Sequence, residues 1–317
     1  MFLIAGLAAT VAASAAPSMA QTKISIGEVG AGAANHWPSY IAIEKGFYKA
    51  RKLQVEYVAA SSSASVMQQL AAGSVDMGAG GLVDPVRAID KGARITLFRT
   101  EASVAPYEVY AGKNIKGWMD LRKKTIMIGG IKDITRIYLE RMAIPNGLKP
   151  GDYDLVFAGA TAQRFAALAS GSIDATIVNP PFNFKAKGLG LTRLGATPDY
   201  ARDFPFTGYA VSLAFASGHR AELADFLAAY QQGVDFFYDR ANRDEAIAIA
   251  QKYLKVDRSD IEETWDFYQD LKIFDRVGLV AKSGIENLLK VLKELGDIEG
   301  SVDVERYHDA SIMTPSK

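Results

Sequence analysis

Across 317 residues, 36 Lys and Arg balance 36 Asp and Glu, so no bulk charge draws the chain to nucleic acid or to an anionic membrane. Cysteine is absent, which excludes disulfides, thiol nucleophiles, thiolate metal sites and a lipid-bearing Cys behind a leader. The length suffices for two domains with well-buried cores.

Taken in order, residues 1–20 form an apolar run closing on Ser18-Met19-Ala20, the small-x-small pattern of a signal-peptidase site, though without the usual basic residues ahead of it. Cleavage after Ala20 would deliver the chain to the periplasm; the alternative is a buried N-terminal helix. No second long apolar stretch follows, so the mature chain is expected not to insert stably in a membrane. Lys23–Val29 reads as a strand, Gly30 to Trp37 as a loop, and Pro38 to Ala50 as one helix with Pro in its first turn. Leu53–Val58 is a strand, a helix ends at Gly73, Val75–Ala79 is a strand, Asp84–Lys91 a helix and Arg94–Phe98 a strand. Strands alternating with helices at this spacing predict a mainly parallel sheet covered on both faces.

Pro106–Ala111 is β-like but opens no new β-α unit, and it is read as a strand crossing into a second domain. There the pattern restarts with strand Thr125–Ile128, helix Asp133–Met142, strand Tyr153–Phe157, helix Thr161–Ser170 and strand Ile173–Val178. Gly208–Ala216 is read as the returning strand, which makes a two-stranded hinge, and the rest of the chain keeps helical apolar spacing. The expected division is 1–20 leader, 21–105 first lobe, 106–208 second lobe, and 209–317 return strand with C-terminal helices on the first lobe and hinge.

A repeat marks the two lobes. Leu70, Ala71, Gly73, Ser74 and Asp76 recur without a gap as Leu168, Ala169, Gly171, Ser172 and Asp174. Each copy reads as a helix ended by Gly in the left-handed region and then a buried strand. Asp76 and Asp174 look placed to brace loop backbone.

Pro38-Ser39-Tyr40, Glu44-Lys45-Gly46-Phe47-Tyr48 and Leu53-Gln54-Val55-Glu56, the doubled A-x-G-S-[VI]-D segment, and Asp120-Leu121-Arg122-Lys123-Lys124-Thr125-Ile126 carry a resemblance over about Lys23 to Ala216. In order and spacing they resemble the solute-binding proteins of ABC importers in the nitrate, sulfonate, taurine and thiamine-precursor group. That resemblance implies an α/β fold of the type II periplasmic-binding class, with two lobes on a two-stranded hinge closing over one small molecule. It also implies an ABC permease as partner. A monomer that needs no cofactor is expected.

Ligands in open α/β sheets bind beyond the carboxyl ends of the strands, which here lead into Gly-rich and hydroxyl-bearing loops at helix starts. The ligand-binding candidates are His36, Trp37, Ser61, Ser63, Gly80 and Gly81 from the first lobe, and Gly130, Lys132, Thr135, Thr161, Asn179 and Phe182 from the second. Free backbone N–H groups at such loops suit a carboxylate, sulfonate or phosphate, so a small organic anion, aliphatic or aromatic, is the expected ligand. Ser61, Ser63 and Thr161 serve equally well as helix caps. Lys132, Arg136 and Arg164 are the basic candidates, each also readable as a solvated charge. Trp37 fits a cleft wall or a staple under its own helix, and Tyr107 and Tyr209 fit cleft or core. The dinucleotide fingerprint fails, because Asn35 stands where its third glycine belongs, and no Walker A, G-x-S-x-G or H-E-x-x-H sequence occurs. Thiamine pyrimidine-precursor synthases and some menaquinone-pathway enzymes share the implied fold and form the alternative class, as does binding of a neutral thiamine-precursor-like heterocycle. The synthases rely on a Cys-rich motif that this chain cannot supply.

Overall fold

The computed structural model describes residues 21–30, 33–278 and 281–313; the leader expected over residues 1–20, and Gly32 of the first loop, lie outside them. The first lobe opens with β1 (Thr22–Val29), α1 (Trp37–Glu44), α2 (Phe47–Ala50), β2 (Leu53–Ala60), α3 (Ser63–Ala71), β3 (Met77–Gly81), α4 (Val83–Asp90) and β4 (Ile95–Ala102). The second lobe holds β5 (Glu108–Ala111), β6 (Thr125–Ile128), α5 (Ile134–Ala143), β7 (Asp154–Phe157), α6 (Thr161–Ala169), β8 (Ala175–Val178), α7 (Phe182–Gly188), β9 (Thr192–Ala196) and α8 (Thr197–Tyr200). The chain then returns through β10 (Thr207–Ser212) and ends in α9 (Leu213–Gly218), α10 (Arg220–Tyr238), α11 (Arg243–Leu254), α12 (Arg258–Leu271) and α13 (Lys282–Glu294).

Two five-stranded sheets result, ordered β2-β1-β3-β10-β4 and β7-β6-β8-β5-β9. In each sheet one strand runs against its neighbours, and it is the one whose segment has just crossed from the other lobe: β10 in the first and β5 in the second. The repeat explains the symmetry. Gly73 and Gly171 both take positive φ, +72° and +75°, and turn the chain out of α3 and α6. Asp76 Oδ2 then accepts from Ser25 N at 2.8 Å, and Asp174 Oδ2 from Thr125 N at 2.9 Å, pinning β1 to the turn before β3 and β6 to the turn before β8. α3 lies close on its sheet because Gly78 has no side chain there; a Cβ would meet Met67 Cε at 2.7 Å and Val66 Cγ1 at 3.0 Å.

Three expected boundaries move. The helix expected over Pro38–Ala50 is divided at Gly46, whose φ of +72° separates α1 from α2. β3 begins two residues later than expected, because Gly73 to Asp76 form the braced turn, so Gly80 and Gly81 belong to the strand. The return strand stops at Ser212, whose hydroxyl accepts from Phe215 N at 3.1 Å and starts α9, so Leu213–Ala216 are helical. The chain crosses through residues 103–107 and returns from α8 through residues 201–206. One side chain, on α8, stitches them: Thr197 Oγ1 donates to Ala105 O at 2.6 Å and accepts from Tyr107 N at 3.0 Å.

α10 and α11 cover the first lobe through α1, and α12 also reaches α7 of the second lobe. There Phe184 meets Phe267 edge to face, and Lys185 Nζ lies 3.4 Å from Asp260.

A candidate ligand-binding cleft between the two sheets

The carboxyl ends of β1, β3 and β8 and the starts of α3, α5, α6 and α7 surround a cavity of about 210 Å³. Its walls come from both lobes, with Leu254 and Val256 added from the end of α11. Tyr107, Phe182, Phe206, Ile134, Leu254 and Val256 give an apolar body, and Asn35, His36, Ser63, Thr161, Asn179 and Thr207 a scatter of polar atoms. This suits a small ligand with one polar end.

Beneath the first-lobe wall is a buried polar network centred on Glu101, which is fully buried on the all-buried strand β4. Its Oε1 accepts from Tyr209 at 2.9 Å and meets His36 Nδ1 at 2.8 Å; its Oε2 accepts from Asn35 at 3.1 Å and Thr207 at 3.2 Å. His36 Nε2 lies 3.5 Å from Glu28, whose carboxylate also accepts from Tyr40 at 3.2 Å. Burial alone would depress the imidazole, but the charge and hydrogen bond of Glu101, helped by Glu28, outweigh it and raise its pKa. Both ring nitrogens face carboxylates, so His36 offers the cavity the face of its ring rather than a free donor.

The second-lobe wall carries the opposite problem. Arg164 on α6 is 1% exposed, and its partners are all neutral: Ile177 O at 3.0 Å, Ala158 O at 3.0 Å, Gly159 O at 2.6 Å and Thr161 Oγ1 at 2.8 Å. No carboxylate pairs with it among the described residues. A buried charge without a counter-charge is costly, by several kcal/mol on the order of a Born penalty after relaxation. Burial pushes the phenol of Tyr107 up to about 12 against the pull of this guanidinium, which places Arg164 electrostatically beside a lining side chain. α6 also starts without a side-chain cap, because its N-cap is Ala160, so its first N–H groups are left for an occupant of the cavity. α3 and α5, by contrast, are capped by Ser62 and Asp133.

Of the twelve residues expected at the site, His36, Ser63, Gly80, Gly81, Thr161, Asn179 and Phe182 line the cavity. Five do not. Trp37 is fully buried under α1, donates Nε1 to Ala246 O at 2.9 Å and packs edge-on against Phe237, so it is core. Ser61 is exposed, and it is its main-chain carbonyl, not its hydroxyl, that faces Gly159 of the second lobe. Gly130 accepts Asp133 N in a turn, and Thr135 is buried, donating to Asp133 Oδ1 at 2.5 Å. Lys132 points away from the cavity to Asp297, at 3.0 Å. Tyr209 is core, and Arg136 is spent on Glu140 at 2.7 Å, the i,i+4 pair that their spacing allows. Leu254 and Val256 carry no local signal of a site; they reach the cleft because α11 packs on α1.

Gly159 lets the lobes approach closely: a Cβ there would run into the Ser61 carbonyl. Gly159→Ala is expected to hold the lobes apart and weaken ligand binding by about tenfold or more, with a melting temperature close to wild type in the ligand-free state. Calorimetric titration beside a thermal melt checks this; unchanged affinity would mean the contact does not limit closure.

A family model described as NMT1/THI5 like matches residues 33–243, well over half of the chain. Among curated proteins, the 4-amino-5-hydroxymethyl-2-methylpyrimidine phosphate synthase of Schizosaccharomyces pombe is 25% identical over 145 residues, covering 45% of this chain and 40% of that protein. This chain thus spans less than half the length of the curated relatives it matches. Among solved structures, the periplasmic nitrate-binding protein NrtA of Synechocystis superposes with a TM-score of 0.78 at 16% identity, over 92% of this chain and 87% of that one. The ligand-binding component of an ABC-type import system of Staphylococcus aureus does so with a TM-score of 0.77 at 16% identity, over 94% and 99%. The fold is thus the type II periplasmic-binding fold, and the chain belongs to the NMT1/THI5-like family.

Proposed function

We propose that the protein is the periplasmic substrate-binding component of an ABC importer, capturing a small organic anion between its lobes and handing it to a membrane permease. The observation that carries this reading is the pairing of Arg164, buried and without a counter-charge, with the uncapped start of α6 at the wall of a two-lobed cavity. A carboxylate or sulfonate would supply the missing charge and accept from the free N–H groups. Tyr107, Phe182 and Phe206 would hold an aliphatic or aromatic body by area and edge contacts. Nothing in this requires covalent chemistry.

Mass spectrometry of ligand released from the purified protein, followed by a thermal-shift screen, tests the reading. Sulfonates or carboxylates should raise the melting temperature by mass action, and a neutral aminopyrimidine should not. Stabilisation by the neutral compound alone would overturn the anion assignment. A second reading is kept open by the synthase relatives: an enzyme of the same fold acting on a thiamine pyrimidine precursor. Conversion of the co-purified ligand by the purified protein would favour it over the receptor.

A further inference from the structure

At the edge of the cavity, where α4 faces the loop before α5, charged groups from both lobes meet, and one of them, Asp133, also lines the cavity. Arg87 on α4 is largely buried. It donates through Nε and Nη2 to Asp297 Oδ2, at 3.1 and 2.5 Å, and through Nη1 to the main-chain carbonyl of Lys132 in the second lobe. The ammonium of the same Lys132 lies 3.0 Å from Asp297 Oδ1. One second-lobe residue is thus gripped twice, by its carbonyl and by its side chain, from two first-lobe elements, α4 and the turn after α13.

The same edge holds an opposing pair. Asp84, two residues into α4, is buried, and its Oδ1 lies 3.4 Å from Arg87 Nη1. The charge it feels from across the cleft is that of Asp133, the N-cap of α5. We propose that Arg87 and Asp297 form an ionic latch on the Lys132 loop, and that the facing carboxylates Asp84 and Asp133 make closing of the lobes take up a proton.

The groups facing Asp84 can be named element by element. α3 contributes the Ser63 hydroxyl, α4 itself Arg87, and the α5 loop Asp133. The turn after α13 contributes Asp297, by way of Arg87. On β4 the ionisable side chains are committed elsewhere, Arg99 over the Tyr230 ring and Glu101 to His36. Burial, then the Asp133 charge, push the Asp84 carboxyl up to about 6 in the closed form, against the pull of Ser63 and Arg87. Opening the cleft removes Asp133 and admits water, so the value falls back toward that of an ordinary carboxylate. The closed form therefore binds more protons than the open form, and the closed population rises as pH falls through about 6. Burial works against the charge on Asp297, yet Arg87 and Lys132 hold its carboxyl below the usual range, so the latch persists through the same window and fails only in stronger acid. Because Asp133 also lines the cavity, the device is read in the ligand-free chain.

Because the chain has no cysteine, spin labels can be placed at will. Lys49→Cys on α2 and Lys149→Cys in the second lobe are both exposed positions. Dipolar distances between labels there in the ligand-free full chain should shorten from about pH 8 to about pH 5.5. Asp84→Asn should give the short distance at both pH values, and Asp297→Asn the long one at both, with thermal melts confirming that each variant is folded. A wild-type distance that does not change with pH would overturn proton-linked closing. Retention of the full pH shift in Asp84→Asn would overturn the role of that carboxyl, and an unchanged distance in Asp297→Asn would overturn the latch.

Discussion

Arg164→Met is expected to lower affinity for the co-purified anion by about 100-fold, on the order of 3 kcal/mol, as measured by calorimetric titration. Met keeps the aliphatic length and removes a buried guanidinium beside the cavity wall whose hydrogen-bond partners are all neutral. The substitution also strips donors from the carbonyls of Ala158, Gly159 and Ile177, so the fold itself should lose about 2 kcal/mol. The two effects separate in thermal melts. Without ligand only the second is seen, whereas saturating ligand should widen the gap between wild type and variant. Arg164→Lys keeps the charge but cannot reach three carbonyls and a hydroxyl at once, so it should fall between the two. Equal affinity in wild type and Arg164→Met would remove the anion subsite from second-lobe wall.

Glu101→Ala should be the most destabilising single change at the cleft, by about 4 kcal/mol in denaturant unfolding, because it breaks a buried ion pair and strands further donors. Asn35, His36, Thr207 and Tyr209 would all lose their buried acceptor. The network also sets a pH dependence. The pKa of His36 is raised in the folded protein, so its contribution to stability is complete below about 6.5 and is lost as pH rises through the folded value. Glu101→Gln keeps the shape and removes most of the charge facing the ring, leaving Glu28. Wild-type stability should therefore fall as pH rises above about 6.5, and that of Glu101→Gln should fall less. Parallel slopes would show that the imidazole is not held charged. This window lies above that of Asp84, so the two titrations can be read separately.

Much of the architecture could be read from the sequence because its signals are local. Alternation placed most of the strands, and the doubled Gly-Ser-x-Asp turn marked the same point in each lobe, where Asp76 and Asp174 do brace a first strand. The ends of those strands then pointed to much of the cavity wall. What failed depended on distant partners. Trp37 sits at a helix start that suits either a cleft or a core, and only the fold of α10, α11 and α12 over α1 decides it. Lys132 carries a charge well placed for an anion, but its counter-charge, Asp297, comes from the far end of the chain. Arg164 was indistinguishable from Arg136 in sequence, since the difference is burial: one is 1% exposed behind the cavity wall, the other pairs with Glu140 on its own helix.

The hydroxyl of Thr197 has a mechanical consequence. Two separate strings joining two bodies allow them to swing, slide and shear; two strings tied together behave as a single torsion bar. By bonding Ala105 O and Tyr107 N on the outgoing crossing, Thr197 removes the relative slip of the two segments and leaves rotation about their shared line as the soft motion. A single axis returns the same wall residues to the same opposing positions at every closure, so groups as far apart in sequence as Ser61 and Gly159, or Lys132 and Asp297, can meet in register without either being guided by a ligand.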